Sequence, residues 1–261
     1  MKSRRFRTGF LTLAVILGFS TLALARYEGR GARFGKKLAH CLETAGVDSA
    51  RADALIAQVR SHKAELVSMW QEHKSALTDL AAMSPDQGSA VTAKVQTILD
   101  AHMKNRATFR GIIDEVAAQL APREKAAVVL HIADRLEGFA GRSRFQPDRV
   151  AERLADHELV TPAEAASIEI QLEASSPEIA TLREDLKAGV QKLRSAVSDS
   201  KTSDADIEAL LAQMRQNRET AGNLRHEAMH NVIAQLSPAS QIAIAGKLVR
   251  VQQAAEVLLG F

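Results

Sequence analysis

Two histidines and a glutamate near the C-terminus have the spacing of a zinc site. His226, Glu227 and His230 satisfy the pattern HExxH, in which a helix places both imidazoles on one face and the glutamate can act as a general base. No HxxGxxH extension follows, so Glu256 is the candidate third ligand. No strand is predicted nearby to position a substrate. We therefore predict that the protein is not an enzyme, and a zinc metallopeptidase stays as a remote alternative.

The chain contains an internal repeat. Residues 116–122 (VAAQLAP) return at 232–238 as VIAQLSP, an offset of 116 (232 − 116). Two more similar pairs occur in the same order: Arg33-Phe34 with Arg144-Phe145, and residues 47–50 with 160–163. Three ordered anchors predict a duplication, so the functional unit is something that two copies build together. HExxH occurs in the second copy only. The two copies therefore share their helical scaffold, and any metal chemistry was added to one of them.

The N-terminus has the pattern of an export signal. A basic region over residues 2–7 precedes an uncharged run over residues 8–25 that ends in Ala-Leu-Ala. This small-x-small ending predicts a signal peptide over residues 1–25. A retained N-terminal anchor is the alternative, since about 18 apolar residues can just span a bilayer. Residues 26–32 form a basic linker.

Charge and cysteine content limit the classes of function. The formal net charge is +3, and residues 1–25 carry four basic and no acidic side chains, so the mature chain is near −1 (3 − 4). The mature chain therefore lacks the excess of positive charge that would favour nucleic-acid binding. One cysteine in an exported chain cannot form an internal disulfide, so Cys41 is predicted to be a buried or free thiol, with an intermolecular disulfide as the alternative.

Apolar residues recur at helical spacing along most of the chain, and no stretch alternates with a period of two. This pattern predicts an all-α fold. We predict in each copy a short first helix, two long helices and a shorter closing helix. The predicted helix starts are Asp48 or Ser49, Ser203-Asp204 and the Ser-Pro and Thr-Pro pairs. Ser176-Pro177 is predicted to restart a helix. The domains are helical repeat 1 at 33–137, a linker at 138–143 and helical repeat 2 at 144–258.

Four short segments at the predicted helix starts are degenerate forms of one motif, LTxxQ. They lie at residues 47–51, 120–124, 160–164 and 236–240, and the glutamine is replaced in all four. With the helix order, they make residues 33–258 similar to the Spy/CpxP family of periplasmic stress chaperones, whose superfamily includes periplasmic heavy-metal resistance and sensor proteins. The resemblance implies a periplasmic location. It also implies a thin, curved helical cradle, here a pseudo-dimer of two tandem copies.

The resemblance further implies a stress-response chaperone of the holdase type that binds unfolded or misfolded envelope proteins without ATP. Scattered apolar groups on exposed helix faces suit weak binding of many segments, and flexible methionines adapt to varied partners. The predicted client contacts are Met69, Trp70, Met103, Phe109 and Met214.

The alternative function is a periplasmic metal-binding sensor or modulator of envelope-stress signalling, which docks on a membrane-bound sensor kinase or an anti-sigma protein. The metal-sensing relatives use His, Glu and Met side chains from helices. This implies that His226 and His230 bind zinc or another divalent transition metal, with Met229 and Glu219 as further ligands. The chaperone function requires no cofactor. A second stripe, at i, i+7 and i+11, consists of His62, Met69 and His73.

Overall fold

A computed structural model describes residues 38–140 and 147–259 of the chain. The predicted signal peptide, the basic linker and residues 141–143 of the predicted inter-repeat linker lie outside these ranges. Within them, eight α-helices follow a helical segment at residues 38–44 and no strand occurs, which confirms the all-α prediction. None of these helices combines the length and apolarity that crossing a bilayer requires. The Cys41 thiol is buried and forms no disulfide.

The helices are numbered in chain order, and residues 38–140 and 147–259 are called the first and second half. The helices are α1 Ser49–Ser61, α2 Lys63–Ala81, α3 Gly88–Ala118, α4 Pro122–Ala140, α5 Pro147–Asp156, α6 Pro162–Ser198, α7 Asp204–Gln235 and α8 Pro238–Leu259, with a 3-10 turn at Pro85–Gln87.

Most predicted helix starts are confirmed. Asp48 caps α1 by accepting a hydrogen bond from the Arg51 N–H at 2.9 Å. Ser84 caps the 3-10 turn before α3, and Thr161 and Ser203 form capping boxes at α6 and α7. Each cap satisfies backbone N–H groups that have no partner inside their own helix. These local devices fix the ends of the long helices that carry the site.

Two predicted features differ from the structure. The first long helix of the first half is interrupted at His62, which leaves the helical conformation (φ −81°, ψ 1°) and separates α1 from α2. Conversely, α6 runs through Pro177 without the predicted restart. A proline inside a helix removes one backbone hydrogen bond. Here Leu172 and Ile179, on either side of Pro177, are both buried, and the extensive packing of α6 on α7 keeps the helix whole.

The closing helix of each half packs on the opposite half. Helix α8 lies against α2 and α3, whereas α4 lies against α6 and α7. The largest apolar cluster accordingly combines side chains of α2 and α3 with side chains of α5, α6, α7 and α8. A smaller cluster around Ala126, Leu193 and Ile207 holds α4 on the α6–α7 hairpin. The two halves are therefore joined by shared apolar cores at both closing helices.

The LTxxQ-like segments meet in pairs, one pair in each half. In the first half, Arg51 Nη1 donates to Glu124 Oε1 at 2.8 Å. In the second half, Ser240 Oγ donates to Glu164 Oε2 at 2.8 Å. All four residues occupy the fifth position of their segments. The fifth positions thus link the start of α1 to the start of α4, and the start of α6 to the start of α8.

Candidate functional site

Helices α3 and α7 run antiparallel and contact each other through a line of polar side chains, the α3–α7 seam. In order, its contacts are Asp114–Arg215 (3.7 Å), Arg110–Glu219 (3.1 Å), Arg106 to the Gly222 carbonyl (2.9 Å), His102–His226 (ring centroids 5.9 Å apart) and Gln96–His230 (2.9 Å). The contacts of the seam are thus ion pairs, hydrogen bonds and imidazole contacts, whereas apolar contacts hold the closing helices. Titratable groups of both halves are concentrated along this seam.

Four histidines at one end of the seam form a continuous series of rings, the histidine row. His73 of α2 lies 6.2 Å from His102 of α3, measured between ring centroids. His102 stacks on His226 of α7 with ring planes 20° apart, and the centroid of His226 lies 6.3 Å from that of His230. His73 is only 5 % exposed, whereas the other three are half-buried. Three helices therefore bring four imidazoles together.

The histidine row is kept neutral at pH 7 at its centre. Burial, followed by the neighbouring His73, His226 and Arg106, lowers the pKa of His102 to about 4. Burial, followed by His230 and Arg106, also lowers the pKa of His226. A neutral imidazole keeps a lone pair that can bind a metal or accept a hydrogen bond. His102 and His226 therefore present acceptor nitrogens rather than positive charges.

The structure separates the predicted metal ligands. His226 and His230 share a face of α7, as their spacing requires, but Glu219 is paired with Arg110 at 3.1 Å, about 10 Å along the helix from His226. Met229 is 4 % exposed and belongs to the largest apolar cluster. Among the described residues, no group of three or more His, Cys, Asp and Glu side chains is arranged to hold a metal ion.

The other proposed ligands are also distributed. His62 lies at the α1–α2 break, within 3.5 Å of the Glu65 and Glu115 carboxylates, whereas His73 belongs to the histidine row. Glu227 is exposed on α7. The side chain of Glu256, the candidate third ligand of a peptidase, lies outside the described residues. The stripe of His62, Met69 and His73 therefore does not form a single group.

Metal binding by His226 and His230 stays a prediction with a direct test. The chain from residue 26 onward is expected to bind zinc in calorimetry, and His226→Ala/His230→Ala is expected to lose the binding heat because both ligands are gone. His62→Ala serves as the control, since His62 lies at a different place. Equal binding by the wild type and the double variant would exclude a site at these two histidines.

The predicted client contacts do not share one exposed face. Met69 is buried in a small cluster with Phe109, and Met214 packs on the cluster that holds α4. Trp70 is half-buried, with the Lys74 ammonium 5.2 Å from its ring centroid. Met103 is half-buried on α3. Client binding by these residues stays a prediction, and the structure distributes them over several places.

A half-open apolar pocket lies beside the histidine row. Its walls come from α2, α3, α7 and α8, including Leu77, Val95 and Leu248, and both His73 and His102 also line it. Side chains of both halves therefore build it together. The large apolar side chains that stand exposed in the described part of the chain are isolated from one another in sequence: Ile113, Ile132 and Ile170.

The sequence interpretation did not identify His102, Arg106 or Gly222 as site residues. The internal repeat could have indicated two of these residues, Arg106 and Gly222. Arg106 and Gly222 are separated by 116 residues (222 − 106), the offset that relates residues 116–122 to 232–238. These are the two residues that meet at the centre of the seam.

Comparisons with protein-family models, with curated proteins and with solved structures find no match to this chain. Function is therefore inferred from the fold and from the geometry of the seam and the pocket.

Proposed function

We propose that this protein is an exported, periplasmic, ATP-independent chaperone of the holdase type, formed by two tandem helical copies that act as a pseudo-dimer. The observation that carries the proposal is the apolar pocket, because its walls come from both halves. A duplicated chain whose binding surface needs both copies fits a function that two copies perform together.

Three features support the pseudo-dimer. Helices α3 and α7 begin 116 residues apart (204 − 88), as do α4 and α8 (238 − 122). Each closing helix packs on the half to which it does not belong: α4 packs on the second half and α8 on the first. Arg106 and Gly222, which occupy equivalent places in the two copies, contact each other. Self-contact of equivalent positions is typical of an isologous interface around a two-fold axis.

The pocket suits weak and unselective binding of unfolded chains. The pocket has a volume of about 40 Å³, so it accepts only the end of one aliphatic side chain. Burying such a group gains roughly 0.8 kcal/mol per methylene, and immobilising the client opposes part of that gain. Each contact is then weak, and an unfolded chain with several apolar side chains gains affinity by repeated binding. The isolated exposed isoleucines provide further weak contacts. Weak contacts release a client without an energy source.

The test is suppression of aggregation. At equimolar ratio and without ATP, the exported chain is expected to reduce light scattering from a chemically reduced client protein. Val95→Phe, which fills the pocket with a larger side chain, is expected to weaken this effect while circular dichroism confirms that the variant is folded. An unrelated helical protein of similar size is the control. Scattering that proceeds unchanged with the wild type would refute the chaperone function.

The histidine row favours a second candidate, the metal-binding sensor or modulator of envelope-stress signalling. Neutral imidazoles on α3 and α7 suit zinc or another divalent transition metal, and a sensor would dock on a membrane-bound kinase or an anti-sigma protein. N-terminal sequencing of the exported protein discriminates between the two candidates. A chain that retains residues 1–25 as an anchor supports the sensor, whereas cleavage after Ala25 supports the free chaperone.

A further inference from the structure

One arginine contacts the Gly222 carbonyl at the centre of the α3–α7 seam, and two more lie on the same face of α7. Arg106 reaches across from α3, and its Nη1 donates to this carbonyl at 2.9 Å. A Cβ atom on Gly222 would lie 1.8 Å from Arg106 Nη2, so the guanidinium lies directly against α7. Arg218 precedes Gly222 by four residues and Arg225 follows it by three, the spacings of neighbours on one helix face. Three guanidinium groups therefore occupy one patch.

The patch has an excess of positive charge. Arg110, one turn from Arg106, adds a fourth guanidinium, and the Glu219 carboxylate at 3.1 Å neutralises one charge. Burial, followed by the charges of Arg110 and Arg218, lowers the pKa of Arg106, as expected for closely placed cations. Arg218 and Arg225 are exposed and form no ion pair with any residue that the structure describes. Three charges are left uncompensated.

This concentration of cations contrasts with the rest of the helical body. Residues 1–37 carry nine basic side chains and one acidic side chain, so residues 38–261 have a net charge of −5 (3 − 8). The arginine patch is therefore a local feature rather than a reflection of overall charge. Like charges this close destabilise the folded state, and a bound anion would offset that cost.

We propose that Arg106, Arg110, Arg218 and Arg225 form a binding site for a phosphate-bearing anion. The planar guanidinium donates two parallel N–H groups to two oxygens of one phosphate. Three uncompensated positive charges match a multiply charged phosphate group better than a single carboxylate. The exposure of Arg218 and Arg225 leaves the patch open to solvent. This site is independent of the proposed chaperone function and of the apolar pocket.

The experiment is calorimetric titration of the exported chain with inorganic pyrophosphate at low salt. Arg218→Gln/Arg225→Gln is expected to weaken binding at least about tenfold, because two charge-assisted contacts are lost. The matched control is Arg149→Gln/Arg250→Gln, which removes two exposed arginines elsewhere and is expected to change the affinity less than about twofold. Gly222→Ala keeps every charge but displaces the Arg106 guanidinium, so it is expected to weaken binding several-fold.

Absence of pyrophosphate binding, or equal weakening in the two double variants, would overturn the proposal. A second titration distinguishes the sources of phosphate. Binding to phosphatidylglycerol vesicles but not to phosphatidylcholine vesicles, lost in Arg218→Gln/Arg225→Gln, supports the site and identifies a lipid headgroup. Pyrophosphate binding without vesicle binding supports the site and identifies a soluble phosphate. Neither result depends on whether the protein suppresses aggregation.

Discussion

Replacing Leu172 with alanine is expected to lower the free energy of unfolding by about 3 kcal/mol. Leu172 is fully buried on α6, in the apolar cluster that joins the two halves. Removing a buried leucine side chain costs its transfer free energy and leaves a cavity that the neighbours fill only partly. Because the cluster combines helices of both halves, the loss affects their association as well as the second half alone.

Urea denaturation followed by circular dichroism measures this change. Ile170→Ala is the matched control, since Ile170 lies on the same helix, two residues away, but is 68 % exposed. Its expected effect is below about 0.5 kcal/mol. A single cooperative transition is expected for the wild type, because the closing helices connect the two halves. Equal destabilisation by the two variants would contradict the position of Leu172 in a shared core.

Replacing Glu164 with glutamine is expected to destabilise the protein by about 2 kcal/mol at neutral pH. The carboxylate accepts hydrogen bonds from the N–H groups of Thr161 (2.7 Å) and Ser237 (2.8 Å) and from the Ser240 hydroxyl (2.8 Å). Hydrogen bonds to a charged acceptor each contribute roughly 1.5–3 kcal/mol, and an amide replaces only part of them. The change also weakens the link between the starts of α6 and α8.

The same carboxylate predicts a dependence of stability on pH. Burial would raise the pKa of Glu164, but the hydrogen bonds from Thr161, Ser237 and Ser240 outweigh it and lower the pKa to about 2. The unfolded value is about 4.3. Because the folded state binds the proton less readily, the stabilisation is complete above about pH 4.3 and is lost as the pH falls towards 2.

Thermal unfolding between pH 6 and pH 2 checks this dependence. The difference in stability between the wild type and Glu164→Gln is expected to shrink as the pH falls, because protonation removes the charge that the variant lacks. Glu173→Gln is the control, since Glu173 is exposed on the same helix. A constant difference over the whole pH range would show that the carboxylate charge has no role.

Local features of this fold were predictable from the sequence, and tertiary ones were not. Ser84, Thr161 and Ser203 cap helices through hydrogen bonds within three residues, so their types and spacing are sufficient. The continuity through Pro177 depends on the packing of α6 against α7, and the break at His62 occurs where the sequence has no proline or glycine. No local rule distinguishes a proline that ends a helix from one that neighbouring helices hold in place.

The residues of the candidate site also fall into two groups, those whose placement follows from local spacing and those whose placement depends on tertiary packing. The i, i+4 spacing of His226 and His230 is a local property of α7, so their shared face was predicted. His73 and His102 join the row because the apolar sides of α2 and α3 pack in one cluster with α7. A single histidine in the sequence gives no sign of such packing. Glu219, a predicted metal ligand, forms an ion pair with Arg110 instead. The position of Arg110 opposite Glu219 depends on how α3 and α7 cross.

The meeting of Arg106 with Gly222 has a consequence for ligand orientation. In a symmetric homodimer, the two residues that face each other on the two-fold axis are identical. Two arginines there would repel each other, and two glycines would offer no side-chain donor to a ligand. A ligand on such an axis has two orientations of equal energy. Under the proposed duplication, one copy supplies the guanidinium and the other supplies the space and the carbonyl that receive it. The two orientations then differ in energy, so an asymmetric molecule bound there would favour one direction over the other.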